Sequence, residues 1–155
     1  MKIFDCFMYF DEEIVLDLRL NTLNDYIDYF VIVESSFTHK GNKRKLKFDP
    51  TKFTKFRDKI IYLVYDNEPD NIEKINDNDS ESEKSRKFIF NAAYRENGQR
   101  NYLEKGLIKS KDNDLILVSD VDEIPNLEKL KLHQIKNKII LFQQDMFYYK
   151  FNLKL

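Results

Sequence analysis

The chain has 155 residues, 42% of them hydrophobic, which is enough for one domain with a proper core and excludes a disordered chain. Lys and Arg number 26 against 27 Asp and Glu, and this near balance argues against a general nucleic-acid or polyanion binder. Cys6 is the single cysteine, which excludes an intramolecular disulfide and a cysteine-based zinc site.

No apolar stretch approaches the roughly 20 residues of a membrane span. The N-terminus has no signal-peptide core, and Asp5 interrupts the first apolar run. The expectation is a soluble, cytoplasmic protein with no membrane span and no nucleic-acid partner, in which Cys6 is a buried structural thiol.

Residues 2–9 read as a first strand. Asp11, Glu12 and Glu13 then open a helix of about four turns, with carboxylates at its positive end. Ile14, Val15, Leu18, Leu20 and Leu23 are its expected apolar face. Residues 28–34, DYFVIVE, form a second strand rich in β-branched and aromatic side chains. Strand, helix and strand make a βαβ unit, which favours a parallel sheet.

Residues 35–59 read as a loop region with a basic excess, carrying nine Lys and Arg and two acids from Lys40 onward. Residues 60–65 form a third strand. Residues 66–83, with eight acids and one Lys, read as a polar, mobile loop. A helical pattern runs from about Glu83 to Lys109, with Gly98 leaving open whether it is one helix or two. Leu115–Ser119 is a fourth strand. Asn126–Leu132 reads as a short helix capped by Asn126, and 139–151 as one or two further strands.

The stretch 115–125, LILVSDVDEIP, carries the strongest chemical signal. An apolar, buried strand delivers Asp120 and Asp122 to its C-terminal end. Hard cations such as Mn²⁺ and Mg²⁺ prefer oxygen ligands and are commonly held by one or two carboxylates together with substrate phosphates. In open α/β sheets the ligand crevice lies beyond the carboxyl ends of the strands. The competing account of the pair is a solvated acidic turn. Glu34 ends the second strand, where it can accept from a base or ribose or simply meet water. Gly41 allows close backbone approach in the loop that follows, and Lys43, Arg44, Lys45 or Lys47 can meet phosphates there. Arg100 can reach Asp120 or a diphosphate, or form an ordinary surface ion pair. No Gly-rich phosphate loop occurs.

These residues lie in segments that resemble the N-terminal part of glycosyltransferase family 17, the β-1,4-mannosyl-glycoprotein 4-β-N-acetylglucosaminyltransferase-like group. The segments are KIFDCFMYFDEE at 2–13, LRLNTL at 18–23, YFVIVESSFTHKG at 29–41, QRNYLEKGL at 99–107 and LILVSDVDEIP at 115–125. The resemblance implies a GT-A-like α/β/α sandwich with a mostly parallel sheet, built to bind a nucleotide sugar. It implies that Asp120 and Asp122 are the Asp-x-Asp pair holding Mn²⁺ or Mg²⁺ on the donor diphosphate. By the same resemblance Glu34 contacts the nucleotide and Arg100 faces the donor.

Family members usually run beyond the point matching Leu155, and animal relatives carry an N-terminal anchor. Residues 1–155 are therefore expected to be a single GT-A-like domain, shortened at the C-terminus. The expected function is metal-dependent transfer of a sugar, with UDP-GlcNAc a candidate donor, to a glycan or glycoconjugate. The alternatives are a non-catalytic nucleotide-sugar-binding remnant and a metal-dependent phosphohydrolase or nucleotidyltransferase. Two geometric expectations follow: Leu115–Ser119 should be an interior strand, and Glu34, Arg100 and Asp120 should meet in one crevice.

Overall fold

A computed structural model describes residues 1–134 and 137–145. The chain runs β1 (Ile3–Tyr9), α1 (Glu13–Leu23), β2 (Tyr29–Ser35), β3 (Ile60–Tyr65), α2 (Glu81–Tyr102) and β4 (Leu115–Val118), so the expected β-α-β-β-α-β order holds. The four strands form one parallel sheet in the order β3-β2-β1-β4. The fold class is α/β.

The sheet is covered on both faces because strand side chains alternate. Ile3, Phe7 and Tyr9 of β1 pack with Leu16, Leu20 and Leu23 of α1, together with Phe30, Ile32, Phe53 and Phe56. Phe4 and Cys6 face the other way, where Val31, Val33, Tyr65 and Leu103 complete a second cluster. Cys6 is fully buried, and burial first, then the neighbouring Asp5, push its thiol up to about 12. It is a structural thiol, as expected.

α1 buries part of its expected apolar face: Leu20 and Leu23 are buried and Val15 packs partly buried on the core, but the stripe is turned away from Ile14 and Leu18. Its buried positions are Leu16, Arg19, Leu20 and Leu23, an i, i+3, i+4, i+7 stripe that includes an arginine. Ile14 and Leu18, expected on the core face, are 86% and 57% exposed. The reason is Asp5 on β1, which gives Arg19 a buried partner and draws that face inward.

α2 is one helix, not two. Ser80 caps it in a reciprocal arrangement with Glu83. Gly98 does not break it: a methyl at that position would overlap the hydroxyl of Tyr65, so the glycine lets α2 lie close against the sheet. A short 3₁₀ segment, Leu103–Leu107, completes that layer.

The acidic segment before α2 has no helix or strand up to residue 80, but it is tied down at several points. Glu73 pairs with Arg86 at 2.8 Å, Asp79 with Lys87 at 2.7 Å and Glu68 with Arg95 at 2.9 Å. Asn91, 4% exposed, both donates to and accepts from the Glu73 backbone. The mutual repulsion expected of these acids is thus offset by cations of α2 rather than by the basic loop.

β4 corrects the expectation of an interior, buried strand. It pairs only with β1 among the described residues and lies at the sheet edge, with Val118 56% exposed. Residues 137–144 run beside it without forming a strand, so alternate β4 side chains keep contact with solvent. The strand expected over 139–151 is absent from 139–145, and the remainder lies outside the described residues. Asn126 does not cap a helix; its side chain accepts from Glu128 N at 3.2 Å in a local turn, and the only helical turn there is the 3₁₀ segment Leu132–Gln134.

Candidate functional site

From β1 the chain steps outward to β2 and β3, then returns to the opposite side of β1 as β4. The direction of winding reverses between β1 and β4, and ligands of open α/β sheets bind at the carboxyl ends of the strands at such a reversal. A crevice of about 810 Å³ opens there, of a size suited to a small-molecule ligand. Met8, Tyr9 and Phe10 at the end of β1 form one part of it, and Asp120, Val121 and Asp122 beyond β4 form another. Thr38, His39, Lys40 and Asn42 close the far side, and Glu96 and Gln99 of α2 complete it.

The turn after β4 is built from below. Arg19 is fully buried and its Nε and Nη2 engage the two Asp5 oxygens at 2.8 and 2.7 Å, a bidentate pair of two groups without exposure. Its Nη1 donates to the carbonyls of Asp120, Val121 and Glu123 at 2.7, 3.1 and 3.2 Å, and Nη2 also reaches Ser119 Oγ at 2.7 Å. The face of Phe7 lies 4.5 Å away. Val121 is 7% exposed and anchors the turn in the core. With Val121 inside, Asp120 and Asp122 on either side are left exposed at the crevice.

Asp120 accepts from Arg100 Nη2 at 3.0 Å, and the same nitrogen meets Glu96 at 3.1 Å. Both accounts of Arg100 are therefore realised in part: it reaches Asp120 and it also makes an i,i+4 pair on its own helix. Asp122 has no hydrogen-bond partner for its carboxylate among the described residues. No group of three His, Cys, Asp or Glu that could hold a metal occurs among them. The two aspartates thus fit the mode in which a hard cation takes few protein carboxylates and fills its shell from a ligand's phosphates.

Glu34 is not on the crevice surface. It is fully buried, and its oxygens accept from Arg44 Nη1, Lys47 N, Phe48 N and Tyr62 Oη at 2.9, 2.7, 3.0 and 2.9 Å. Burial, and then this hydrogen bond, hold the Tyr62 phenol protonated well above its usual range. Glu34 therefore builds the far wall by fixing the loop that follows β2, rather than offering a free carboxylate to a base or ribose. Of Glu34, Arg100 and Asp120, only Asp120 lines the crevice; Arg100 reaches it through its bond to Asp120.

Arg44, one of the cations expected to meet phosphate, is spent on the same task. It pairs with Glu34, donates to the Ser35 and Phe10 carbonyls, and stacks 3.9 Å from the Phe10 ring. Gly41, with φ of 88°, forms the tip of the turn Thr38–Asn42. A side chain there would crowd Arg95, which holds the His39 carbonyl at 3.0 Å. Of the basic loop, Lys40 and His39 are what reach the crevice. Replacing Glu34 by Gln should lower stability by about 2 kcal/mol, because Arg44 loses its charged partner in a buried setting. A shift of the denaturant midpoint at unchanged slope is the measurement, and an unchanged midpoint would show that the wall does not depend on this carboxylate.

The profile of glycosyltransferase family 17 matches residues 1–155. The chain belongs to glycosyltransferase family 17. It is similar to the beta-1,4-mannosyl-glycoprotein 4-beta-N-acetylglucosaminyltransferases of Homo sapiens and Rattus norvegicus, 39% identical to each over 59 residues. That alignment covers 36% of this chain and 11% of each relative. No solved structure matches the chain significantly. No helix among the described residues is long and apolar enough to cross a membrane.

In this family member the sequence reading missed four contributors. Arg19 is invisible to a rule that keeps arginine out of a core stripe, although its i+3 spacing from Leu16 and the lone Asp5 in an apolar strand signal it. Glu12 and Glu96 add to the acidity of the crevice, which holds four carboxylates, with Asp120 and Asp122, against one lysine. Gln99, 7% exposed, donates from Nε2 to the Val33 carbonyl at 2.9 Å and lines the crevice.

Proposed function

We propose that this crevice binds a nucleotide sugar and that the protein transfers the sugar, with N-acetylglucosamine the leading candidate, to a glycan or glycoconjugate. The family name and the activity named for the two relatives support this class of reaction. The observation that carries the reading is the Asp120-Val121-Asp122 turn, seated at the winding reversal of a parallel sheet and held by a buried arginine. The same placement supports assigning the domain to the GT-A type.

Four carboxylates line the crevice against Lys40, and Arg100 is shared between only two of them, so the crevice would repel a diphosphate on its own. The crevice therefore suits a donor that arrives with Mn²⁺ or Mg²⁺, which Asp120 and Asp122 would hold. When bound, such a cation supplies Lewis-acid charge to the departing diphosphate. The chain's own residues do the rest. Arg19 fixes the backbone of the turn, so the aspartates need little reorganisation on binding. Arg100 orients Asp120 through its 3.0 Å hydrogen bond, and Lys40 brings positive charge from the opposite wall.

Calorimetric titration of UDP-GlcNAc, UDP-galactose and GDP-mannose, with Mn²⁺ and with chelator, tests the reading. The expected result is saturable binding of one donor class that is lost on chelation. No heat from any donor in the presence of Mn²⁺ would overturn the nucleotide-sugar reading. Equal affinity with chelator would remove the metal from it. Transfer onto a glycoprotein glycan, followed by mass spectrometry, separates a transferase from a protein that only binds donor.

A further inference from the structure

Gln99 occupies an unusual position for a polar side chain. It is more than nine-tenths buried, yet it lines the crevice between the end of β2 and the Thr38–Asn42 wall. Its carboxamide cannot turn round. Val33 O is an acceptor only, so the nitrogen must face it, and the 2.9 Å bond from Nε2 fixes the amide plane. Gly98 brings the helix close enough to the sheet for this bond to form.

The oxygen of the same amide is left over. Oε1 has no hydrogen-bond partner among the described residues, where no polar side-chain atom is both sealed from solvent and unpaired. Oε1 therefore keeps its opening, and the opening available to so buried a residue is the crevice. A fixed acceptor at the base of a binding crevice accepts from a ligand N–H or O–H. A ligand lacking that hydrogen would leave Oε1 buried and unpaired, which costs more than the bond itself yields.

Resting on the nucleotide-sugar reading above, we propose that Gln99 is a specificity-determining residue, whose Oε1 accepts a hydrogen bond from one N–H or O–H of the donor. The hydrogen comes from the base imide, a ribose hydroxyl or a sugar hydroxyl. Neither Asp120 nor Asp122 can make this selection, because a cation-bridged diphosphate is common to all nucleoside-diphosphate sugars. Gln99 reads what the diphosphate does not distinguish.

The test compares the wild type with Gln99→Met, which keeps the length and loses the acceptor. Each is titrated with Mn²⁺ and five ligands: UDP-GlcNAc, UDP, and the N3-methyl, 2′-deoxy and 3′-deoxy forms of UDP. The wild type should bind UDP-GlcNAc at least tenfold more tightly than the variant does. For any ligand that lacks the donated hydrogen, wild type and variant should bind alike. If that ligand is N3-methyl-UDP the base imide is the source; if it is a deoxy form, the ribose is; if it is UDP itself and its three derivatives, the sugar is. An equal loss across all five ligands would show that Gln99 only supports the fold and would overturn the proposal, as would an unchanged affinity for UDP-GlcNAc. A wild type that binds none of the five overturns the donor-site reading itself, and the proposal with it. Matching melting curves for the two proteins keep a folding defect from passing as a loss of recognition.

Discussion

Arg19→Met should lower stability by about 3–5 kcal/mol, the cost of leaving one member of a buried ion pair without its partner. Asp5 would keep its burial and lose both charge-assisted hydrogen bonds. The carbonyls of Asp120, Val121 and Glu123 would lose a shared donor at the same time. For a domain of this size the melting temperature should fall by roughly 6–20 °C. The pair variant Asp5→Leu with Arg19→Met separates the two parts of this role. Replacing a buried ion pair by apolar groups is often neutral for stability, so the pair variant should recover much of the loss. It should not recover donor affinity, because the turn carbonyls then lose their buried guanidinium donor and keep only local bonds within the turn. Arg19→Met with an unchanged melting temperature would show that the pair is not what sets the phase of α1.

The order of elements was legible because β1, β2 and β3 are short apolar runs separated by segments of clear helical or turn character. Asp120 and Asp122 were legible for a related reason: they are adjacent in sequence to the strand that carries them. What was not legible depended on distant partners. The phase of α1 is set by Asp5 and Arg19, 14 residues apart, and a count of apolar positions chooses Ile14 and Leu18 instead. Glu34 reads as a free strand-end acid until the chain returns Arg44, Lys47, Phe48 and Tyr62 to it. β4 has the composition of a buried strand, but burial also needs a neighbour on its outer edge, and composition does not supply one. Gln99 sits in a polar stretch of helix, and its importance rests on a single bond to a strand 66 residues away.

The pattern in these differences bears on the site. Arg19, Glu34 with Arg44, and Gly98 support the crevice, whereas Glu12, Glu96 and Gln99 line it. Arg19 holds the acidic turn, Glu34 with Arg44 holds the opposite loop, and Gly98 sets the height of α2. The aspartates proposed to meet a ligand are adjacent in sequence to the strand that carries them, whereas the groups that hold the crevice walls are scattered along the chain. A constellation left without such support is apt to be loose.

Asp122→Asn should abolish the metal-dependent part of donor binding and leave the fold intact. Its side chain is exposed and has no partner among the described residues, so removing the charge should change stability by less than about 0.5 kcal/mol. Asn keeps the shape and one oxygen but takes away the negative charge that draws a divalent cation. A loss on the order of 100-fold in donor affinity with Mn²⁺, about 2.7 kcal/mol, is expected, with little change when chelator is present. Asp120→Asn should also weaken binding, but less cleanly. Arg100 would keep an acceptor oxygen but lose the negative charge of its partner at 3.0 Å and retain Glu96, and the less neutralised guanidinium would add positive charge near the diphosphate. The contrast is therefore informative: Asp122→Asn reports on the cation alone, whereas Asp120→Asn reports on the cation and on Arg100 together. Titrating UDP-GlcNAc against wild type and both variants, each with Mn²⁺ and with chelator, reads the difference. If all three proteins bind equally under both conditions, the aspartate pair holds no metal and the acidic turn is only a solvated end to β4.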